Sequence, residues 1–299
     1  MTSSTPPYRC GTVAIIGRPN VGKSTLVNHL VGQKLSITSR KPQTTRHRIK
    51  GILTREDAQY VFVDTPGVQT KHVNALHRAM NRSVISTLAD TDVVVMVIEA
   101  LKFGPDDQQV LDRLPPTLRP ILAINKIDRV HPRERLLPFL GQLGALDRFA
   151  ALVPVSAQKE TQLEPLLAEI RGRLPEGEPM YEADDVTDAN ERFFASEFIR
   201  EQLFRLLGDE LPYATSVAIE TFTLEGTMRR IQAVILVDQD NQKAIVIGHQ
   251  GSKLKEIGQR ARTDLEKLFD GKVFLEIFVK VKGGWADDER ILKSLGHEF

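Results

Sequence analysis

Eight consecutive residues near the start of the chain, Gly17 to Ser24, have the types and spacing of a phosphate-binding loop, G-x-x-x-x-G-K-S. Glycines let the backbone wrap closely around phosphates with its N–H groups pointing inward, and a helix that follows adds its positive end. Lys23 is predicted to bridge the β- and γ-phosphates, and Ser24 to bind Mg²⁺. The predicted nucleotide contacts here are Gly17, Arg18, Pro19, Asn20, Val21, Gly22, Lys23, Ser24 and Thr25.

A carboxylate directly follows the apolar run 60–63, in the sequence Asp64-Thr65-Pro66-Gly67. Beside a phosphate loop, Asp64 is placed to hold the Mg²⁺ shell through water, and the Gly67 N–H to meet a γ-phosphate and lose it after hydrolysis. Asp-x-x-Gly alone also describes many tight turns, so this prediction depends on the loop upstream. The predicted contacts are Asp64, Thr65, Pro66, Gly67 and Val68.

A third group, Asn125-Lys126-Ile127-Asp128, follows the apolar run 120–124. Guanine presents two adjacent N–H donors that one carboxylate, Asp128, can accept together, whereas adenine would leave that charge unpaired. We therefore predict guanine selectivity, with Asn125 tying the base site to the phosphate loop and the Lys126 stem along the base. The predicted base contacts are Asn125, Lys126, Ile127, Asp128, Ser156 and Ala157.

These elements occur in an order that resembles the translation-factor-like GTPases across the first part of the chain. Within that class, Lys41-Pro42-Gln43-Thr44-Thr45-Arg46 is similar to the effector loop. The resemblance implies that Thr45 reaches Mg²⁺ and the γ-phosphate of GTP, with Thr44 as the competing assignment. It also implies Ser24, Thr45 and Asp64 as the Mg²⁺ residues, and Lys23, Thr45 and Gly67 as the residues that serve hydrolysis.

Two departures from the small signalling GTPases bear on hydrolysis. Val68 stands where those proteins carry a water-orienting glutamine, so we expect slow intrinsic hydrolysis. No arginine finger is obvious, although Arg18, Arg40 and Arg46 are nearby. Related GTPases use an asparagine at the position of Asn20 to bind K⁺, which makes potassium stimulation a hypothesis.

The segment from Ala244 to Gly258 resembles the signature of KH domains, with G-x-x-G between two helical stretches. That spacing lets an RNA backbone pass over bare glycines while bases lie in an adjacent groove. Lys253, Lys255, Arg260 and Arg262 are candidate phosphate contacts, partly offset by nearby acidic residues. The predicted RNA contacts are Gly248, His249, Gln250, Gly251, Lys253 and Lys255.

A GTPase domain followed by a type II KH domain, with the segments KPQTTRHRIK at 41–50 and VKVKGGWADDER at 279–290, resembles the Era family of bacterial GTPases. The resemblance implies binding to the 3′ end of 16S ribosomal RNA, assistance in 30S subunit assembly, and GTP, GDP and Mg²⁺ as ligands. It also implies a monomer in the cytoplasm that associates in part with the inner membrane as a peripheral protein.

Short apolar runs alternate with helical patterns up to residue 174, which predicts a doubly wound, mostly parallel α/β sheet. The runs at 12–17, 60–64, 92–98, 120–125 and 151–156 are the predicted strands, and 40–54 is a polar loop leading into an antiparallel edge strand. We predict an acidic linker over 175–189. From 190 to 299 the pattern changes to helix–strand–strand–helix–helix–strand, an α+β arrangement with a last helix near 287–295.

Composition excludes several classes of protein. The chain of 299 residues has 41% hydrophobic and 26% charged residues and a net charge of +1, which is typical of a folded protein and not of one that is basic throughout. A single cysteine, Cys10, forms no internal disulfide. No apolar run approaches the length of a membrane span, and the first ten residues lack the hydrophobic stretch of a secretory signal, so we expect a reducing, cytosolic compartment.

Three alternatives stay open at this point. A P-loop small-molecule kinase would make the guanine motif accidental and would show efficient displacement of GTP by ATP. An RNA-binding module with a vestigial nucleotide site would keep RNA binding after Lys23→Ala. A GTPase acting on a different RNA, such as transfer RNA, would keep both sites.

Overall fold

The computed structural model describes residues 7–39, 41, 44–67, 74–208 and 210–297, and the chain divides into two compact units. The first unit consists of Met1–Ser36, Thr45–Thr70 and Asn81–Asp188. The second consists of Ile37–Thr44, Lys71–Met80 and Ala189–Phe299. The predicted boundaries at 174 and 189 stay predictions, and two short segments from the first half of the chain fall in the second unit.

The elements before residue 175 form a six-stranded sheet with helices on both faces. Its strand order is β2-β3-β1-β4-β5-β6, and every pair is parallel except β2 with β3. The predicted doubly wound, mostly parallel sheet with an antiparallel edge strand is confirmed. The elements are β1 (Arg9–Ile16), α1 (Lys23–Val31), β2 (Ile49–Thr54), β3 (Ala58–Asp64), α2 (Ala75–Ala89), β4 (Val93–Glu99), α3 (Pro105–Asp112), β5 (Ile121–Asn125), α4 (Leu136–Gly144), β6 (Ala151–Pro154) and α5 (Leu163–Arg171).

Both faces of this sheet are buried, which explains why its strands are apolar without alternation. On β1, Val13 and Ile15 pack in one core with residues of α1 and α5. Their neighbours Ala14 and Ile16 pack in a second core with residues of α3 and α4. The carboxyl ends of the parallel strands therefore meet at one edge, where the predicted nucleotide motifs follow β1, β3, β5 and β6.

The acidic segment after residue 174 pairs with the edge of this sheet. Ile52 N donates to Val186 O at 2.9 Å. The buried Gln59 side chain accepts from Met180 N at 2.7 Å and from Tyr181 N at 3.0 Å. The segment is polar and proline-rich, as an extended linker is, and the backbone groups of Met180, Tyr181 and Val186 find partners on β2 and β3.

The second unit contains a three-stranded sheet in the order β7-β8-β9, antiparallel between β7 and β8 and parallel between β8 and β9. Its helices pack on one face around a core that includes Leu203, Ile235 and Ile257. Asn190 ends the linker and caps the first helix, because its side chain accepts from Phe193 N at 2.8 Å. The elements are α6 (Glu191–Leu206), β7 (Thr215–Glu225), β8 (Met228–Val237), α7 (Asp240–Ile247), α8 (Ser252–Leu268), β9 (Lys272–Val281) and α9 (Glu289–Ser294).

Trp285 anchors the last helix within the second unit. It is 1% exposed, its Nε1 donates to Ala214 O at 3.1 Å, and it packs with Leu76, Met80 and Leu292. Trp285 thus serves packing rather than the RNA groove. Among the residues that the structure describes, no helix is long and apolar enough to cross a membrane.

Candidate nucleotide and RNA sites

The loop from Gly17 to Ser24 connects β1 to α1, as predicted, and two of its glycines have no room for a side chain. Gly17 has φ 146° and Gly22 φ 103°, both in the region that favours glycine. A Cβ on Gly17 would lie 2.4 Å from Val97 O, and one on Gly22 would lie 2.3 Å from Asn125 Nδ2. The loop therefore packs directly on the sheet edge, and α1 begins at Lys23 with its N–H groups available to an anion.

The Lys23 side chain extends back to the start of this loop. Its Nζ donates to Gly17 O at 3.0 Å and to Arg18 O at 3.1 Å, and the side chain is buried. Burial lowers the pKa of Lys23 to about 8, an effect that Asp64 opposes and Arg18 reinforces. A buried ammonium group whose partners are neutral carbonyl oxygens is further stabilised when a negatively charged phosphate oxygen binds beside it.

Three predicted Mg²⁺ residues come together next to Lys23. Ser24 Oγ and Thr45 Oγ1 are 2.9 Å apart, and Thr45 Oγ1 lies 3.5 Å from Asp64 Oδ2. Asp64 is completely buried, and its Oδ1 has no hydrogen-bond partner among the described residues. Burial raises the pKa of Asp64, opposed chiefly by Lys23. A buried carboxylate oxygen without a partner beside two hydroxyl oxygens is a donor set that fits a hard cation such as Mg²⁺.

The contacts of the effector loop favour Thr45 over Thr44. The Thr44 hydroxyl donates to Lys41 O at 2.8 Å, a bond within the loop itself. Thr45, 6% exposed, is the residue whose hydroxyl meets Ser24. Pro42 and Gln43 lie outside the described residues.

Asp64-Thr65-Pro66-Gly67 packs against the phosphate loop. Thr65 Oγ1 donates to Ile15 O at 2.9 Å, which fixes the turn to β1. A Cβ on Gly67 would lie 3.0 Å from Pro19 Cγ, so the backbone of this turn approaches the loop closely. Val68, the residue predicted to replace the water-orienting glutamine, lies outside the described residues.

Asn125 joins the phosphate loop to both base-binding motifs. Its Nδ2 donates to Val21 O at 2.8 Å. Its Oδ1 accepts from Lys126 N at 2.8 Å and from Ala157 N at 2.9 Å. With the side chain 2% exposed, these three bonds replace the water that each group would otherwise need.

The Lys126 ammonium group has two partners, one in the phosphate loop and one at the end of β4. Its Nζ donates to Asn20 O at 2.6 Å and pairs with Glu99 Oε2 at 2.7 Å. Glu99 also pairs with Lys102 at 2.6 Å. Partial burial of Glu99 works to raise its pKa, but the hydrogen bonds from Lys102 and Lys126 outweigh it and lower that pKa to about 2.

Asp128 is oriented by the loop after β6. Ser156 Oγ donates to Asp128 Oδ1 at 2.6 Å and accepts from Lys159 N at 3.2 Å. A carboxylate held at one oxygen keeps its remaining lone pairs for the two adjacent donors of guanine. Of the remaining predicted nucleotide contacts, Val21 lies in the phosphate loop, Thr25 in the first turn of α1, Pro66 in the turn after β3 and Ile127 in the turn after β5.

The arginines near the phosphate loop are not equally available. Arg18 Nε donates to both carboxylate oxygens of Asp107, at 3.0 and 3.1 Å, and Asp107 is 2% exposed. Burial raises the pKa of Asp107, and Arg18 is the main group that opposes this. Arg46 is buried, and Arg40 lies outside the described residues. The ion pair with Asp107 thus engages the Nε of Arg18 and ties its guanidinium to α3.

In the second unit, the predicted G-x-x-G turn lies between α7 and α8. Gly248 has φ 73°, and a Cβ there would lie 2.7 Å from Lys253 Cβ, so the turn folds tightly onto the next helix. Gly251 has φ 77° with open space around it. His249 and Gln250 are exposed at the tip. The bare backbone at Gly251 leaves room for a phosphate to approach the start of α8.

A groove of about 700 Å³ runs beside this turn, between α8 and β9. Gly258, in the middle of α8, keeps the groove open, because its place on the helix carries no side chain. Apolar and basic side chains share the lining, as stacked bases and a backbone would require. The residues that line it are Gly251, Leu254, Lys255, Gly258, Gln259, Arg262, Leu275 and Ile277.

The candidate basic residues on α8 differ in how far they are already neutralised. Arg260 pairs with Glu256 at 2.6 Å, and Arg262 lies 3.7 Å from Glu266. Lys255 is exposed and lines the groove. The groove is therefore only moderately basic, and Lys255 is its clearest candidate for a phosphate contact.

Comparisons with known proteins identify the domain in which each candidate site lies. Residues 12–126 match the family model described as 50S ribosome-binding GTPase, and residues 210–286 match the KH domain model. GTPase Era of Nitrosomonas eutropha is 55% identical over 97% of this chain and 98% of its own length. The chain belongs to the Era family of GTPases. Era of Chromobacterium violaceum is 52% identical over 97% of this chain and 98% of its own length.

A solved Era structure has the same fold. It is the crystal structure of Era in complex with MgGDPNP and nucleotides 1506–1542 of 16S ribosomal RNA. It is 36% identical to this chain, covers 98% of it and 100% of its own length, and has a TM-score of 0.94. The predicted combination of a P-loop GTPase domain with a following KH domain is confirmed.

Two residues of this Era-family site were not singled out from the sequence, Glu99 and Asp107. Glu99 ends β4, so the rule that carboxyl ends of parallel strands meet at one edge could have found it. Asp107 lies in the first turn of α3, after a loop whose course the sequence did not indicate.

Proposed function

We propose that this Era-family GTPase is a switch that binds the 3′ end of 16S ribosomal RNA through its KH domain and assists assembly of the 30S subunit. The observation that carries the proposal is the Era relative aligned over 98% of the chain, which holds both MgGDPNP and nucleotides 1506–1542 of that RNA. The two candidate sites described above match the two kinds of ligand in that complex. The proposed domains are the GTPase domain at 1–174, an acidic linker at 175–189, and the KH domain with its C-terminal helix at 190–299.

In the proposed mechanism, Lys23 neutralises the β- and γ-phosphates from within the loop. Ser24, Thr45 and Asp64 hold Mg²⁺, directly or through water, and their clustering beside Lys23 supports these roles. When bound there, Mg²⁺ would supply positive charge that stabilises the phosphate oxygens during hydrolysis. GTP and GDP are thus the proposed nucleotides, with Mg²⁺ as cofactor.

The proposed switch depends on Thr45 and Gly67. Thr45 contacts Ser24 and the Gly67 backbone packs against Pro19, so a γ-phosphate in the loop would lie beside both, and its loss would remove that support. With Val68 in place of glutamine and Arg18 paired with Asp107, neither side chain is proposed to act on the attacking water or the developing charge. Slow intrinsic hydrolysis therefore stays our expectation.

We assign guanine selectivity to Asp128. Asn125 and Ser156 are the groups that position its motif beside the phosphate loop. Buried, hydrogen-bonded donors and acceptors reject an isostere that cannot satisfy them. The alternative of a small-molecule kinase has no observation in its favour. We expect ATP to compete with GTP only at large excess.

Asn20 is the proposed K⁺ residue. Its backbone, with φ 64°, belongs to the phosphate loop, and the hydrogen bond from Lys126 Nζ to its carbonyl holds it in place. A monovalent cation beside the phosphates would do part of the electrostatic work of an arginine finger. Equal hydrolysis rates in Na⁺ and K⁺ would contradict this role.

The RNA contacts proposed are Gly248, His249, Gln250, Gly251, Lys253 and Lys255. The open backbone at Gly251 and the adjoining groove support them. By family resemblance we also propose that the protein acts as a monomer, in the cytoplasm, on the 30S subunit, with partial peripheral association to the inner membrane. Co-sedimentation with 30S particles and with vesicles of inner-membrane lipids tests these two associations separately.

The test is a binding titration with a labelled RNA that carries the last part of 16S ribosomal RNA. Affinity is measured with GDPNP, with GDP and without nucleotide, against a transfer RNA and a shuffled sequence. We expect the ribosomal fragment to bind at least about tenfold more tightly than either control, with an affinity that depends on nucleotide. Equal binding of the transfer RNA would refute the proposed target and leave the GTPase with a different RNA.

A further inference from the structure

The side chain of Arg18, in the phosphate loop, is bound to helix α3 of the same unit. Its Nε donates to Asp107 Oδ1 at 3.0 Å and to Asp107 Oδ2 at 3.1 Å. Asp107 is 2% exposed, and its Oδ2 also accepts from Gly104 N at 3.2 Å. Both oxygens of this buried carboxylate are therefore engaged. The contact of Asp107 with Arg18 is called the loop tether below.

The helix that carries Asp107 is fixed in the core of the first unit. Its Val110 and Leu111 are buried in the core that also contains Ile16 of β1 and Ile98 of β4. A side chain on such a closely packed element has little freedom to move. The loop tether thus attaches the phosphate loop to a fixed point outside the loop.

The loop tether is expected to add little to the stability of the fold. Burial raises the pKa of Asp107, and Arg18 is the main group that opposes this. The attraction between the partners of a buried ion pair is largely cancelled by the cost of removing both from water. What the pair does supply is a defined position for the loop at Arg18.

The backbone of Arg18 is in turn a partner of Lys23, whose Nζ donates to Arg18 O at 3.1 Å. The next residue, Pro19, is packed against the turn after β3. A Cβ on Gly67 would lie 3.0 Å from Pro19 Cγ and 3.2 Å from Pro19 N. The tethered part of the loop therefore contacts both the ammonium group of Lys23 and the turn that is proposed to meet the γ-phosphate.

Other contacts hold the second half of the phosphate loop. Asn125 Nδ2 donates to Val21 O at 2.8 Å, and Gly22 packs closely against the same amide. Backbone N–H groups of such a loop bind the α- and β-phosphates, and its lysine reaches the β- and γ-phosphates. Loss of the loop tether should therefore disturb binding of a γ-phosphate more than binding of a diphosphate.

We infer that Asp107 is a positioning residue for the γ-phosphate, which acts through the Arg18 side chain to set the place of the backbone at Arg18 and Pro19. The inference rests on the proposed function in one respect, since it needs the γ-phosphate of GTP beside Pro19 and Gly67. It goes beyond that function, because it assigns part of the discrimination between GTP and GDP to a residue of α3 outside the nucleotide motifs.

The experiment compares five full-length proteins: wild type, Asp107→Asn, Arg18→Met, the double variant and Asp57→Asn. Asparagine at position 107 keeps an oxygen for Gly104 N but loses the charge that pairs with Arg18. Asp57→Asn is the matched control, because Asp57 pairs with Arg171 Nε at 2.7 Å and directly precedes β3, at the opposite edge of the sheet. Affinities for GDP and GDPNP, the hydrolysis rate at saturating GTP and thermal unfolding are measured without RNA.

For Asp107→Asn we expect the GDPNP affinity and the hydrolysis rate each to fall about fivefold and the GDP affinity to change less than about twofold, since a charge-assisted contact to one half of the loop is lost. Arg18→Met should have the same effects. The double variant should lose no more than either single variant, because both changes remove the same interaction. Asp57→Asn should match the wild type in all three nucleotide readouts.

Wild-type behaviour of Asp107→Asn, equal losses of GDP and GDPNP affinity, or losses that multiply in the double variant would each overturn the inference. A lower unfolding temperature with an unchanged ratio of the two affinities would mean that Asp107 only stabilises α3. If Asp107→Asn does not fold, the same ratio in Arg18→Met decides the question. If the wild type binds ATP analogues as tightly as GDPNP, the guanine selectivity of the proposed function fails instead, and the ratio of triphosphate to diphosphate affinity still tests Asp107.

Discussion

Replacing Asn125 by alanine removes the side chain that joins three loops of the nucleotide site. Two buried backbone groups, Val21 O at 2.8 Å and Ala157 N at 2.9 Å, and the partly buried Lys126 N at 2.8 Å lose this partner at once. A buried polar group left without a hydrogen bond costs roughly 1–3 kcal/mol. Water that enters the space of the lost amide recovers part of this cost. We therefore expect the free energy of unfolding to fall by about 3 kcal/mol.

The effect on nucleotide binding should exceed the effect on the fold alone. Asn125 contacts the phosphate loop and both base motifs, so Asn125→Ala should weaken GDP binding about tenfold or more. Urea unfolding without nucleotide gives the stability, and titration with a fluorescent GDP analogue gives the affinity.

Asn28→Ala provides the matched control. Asn28 also bonds three backbone groups, with Leu35 N at 3.0 Å, Ser36 N at 2.8 Å and Ser36 O at 2.7 Å, but it holds the loop after α1. We expect a comparable loss of stability of about 2 kcal/mol with GDP affinity changed less than about threefold. Equal GDP affinities of Asn125→Ala and Asn28→Ala would refute the argument that Asn125 positions the base site.

Three further predictions concern single groups. Glu99 has its pKa lowered to about 2 from 4.5, so it stabilises the fold fully above pH 4.5 and loses this effect as pH falls towards 2. Urea unfolding should show Glu99→Gln about 1 kcal/mol less stable at pH 7, by a margin that shrinks below pH 4.5, and a margin that stays constant would contradict the ion-pair explanation. Lys255→Gln should weaken RNA binding and reduce its salt dependence by about one counterion, more than Arg260→Gln, whose charge Glu256 already balances; equal slopes would count against Lys255 as a phosphate contact. Hydrolysis should be faster in K⁺ than in Na⁺, and Asn20→Ala should remove the difference, which a rate assay in the two salts measures directly.

Motifs whose chemistry depends on the backbone were predictable from the sequence. Gly17 and Gly22 are required by positive φ angles and close packing, and the apolar runs before Asp64 and Asn125 placed those residues at one edge of a parallel sheet. The G-x-x-G turn of the second unit was equally predictable from the sequence, because Gly248 and Gly251 separate two helical patterns at a fixed spacing.

Contacts that depend on the course of the chain in space were not predictable. Helix α4 was not singled out, since Pro138, Gly141 and Gly144 lower its helix propensity; in the fold, its Leu143 is buried in the core beside the sheet. Helix α3 begins at Pro105 and ends at Asp112, because Pro105 suits a first helical turn and Gly104 N bonds to Asp107. The contact of Lys41 Nζ with Leu207 O, at the end of α6, joins residues far apart in the chain, and no local pattern indicates it.

The central claim is that one chain couples a guanine-nucleotide site to a ribosomal RNA site. Crosslinking of the protein to cellular RNA, with the bound fragments sequenced in the GTP-analogue and GDP forms, tests it most directly. The account predicts fragments concentrated at the 3′ end of 16S ribosomal RNA, in amounts that differ between the two nucleotide forms. Fragments scattered over many RNAs, or the same pattern with either nucleotide, would contradict it.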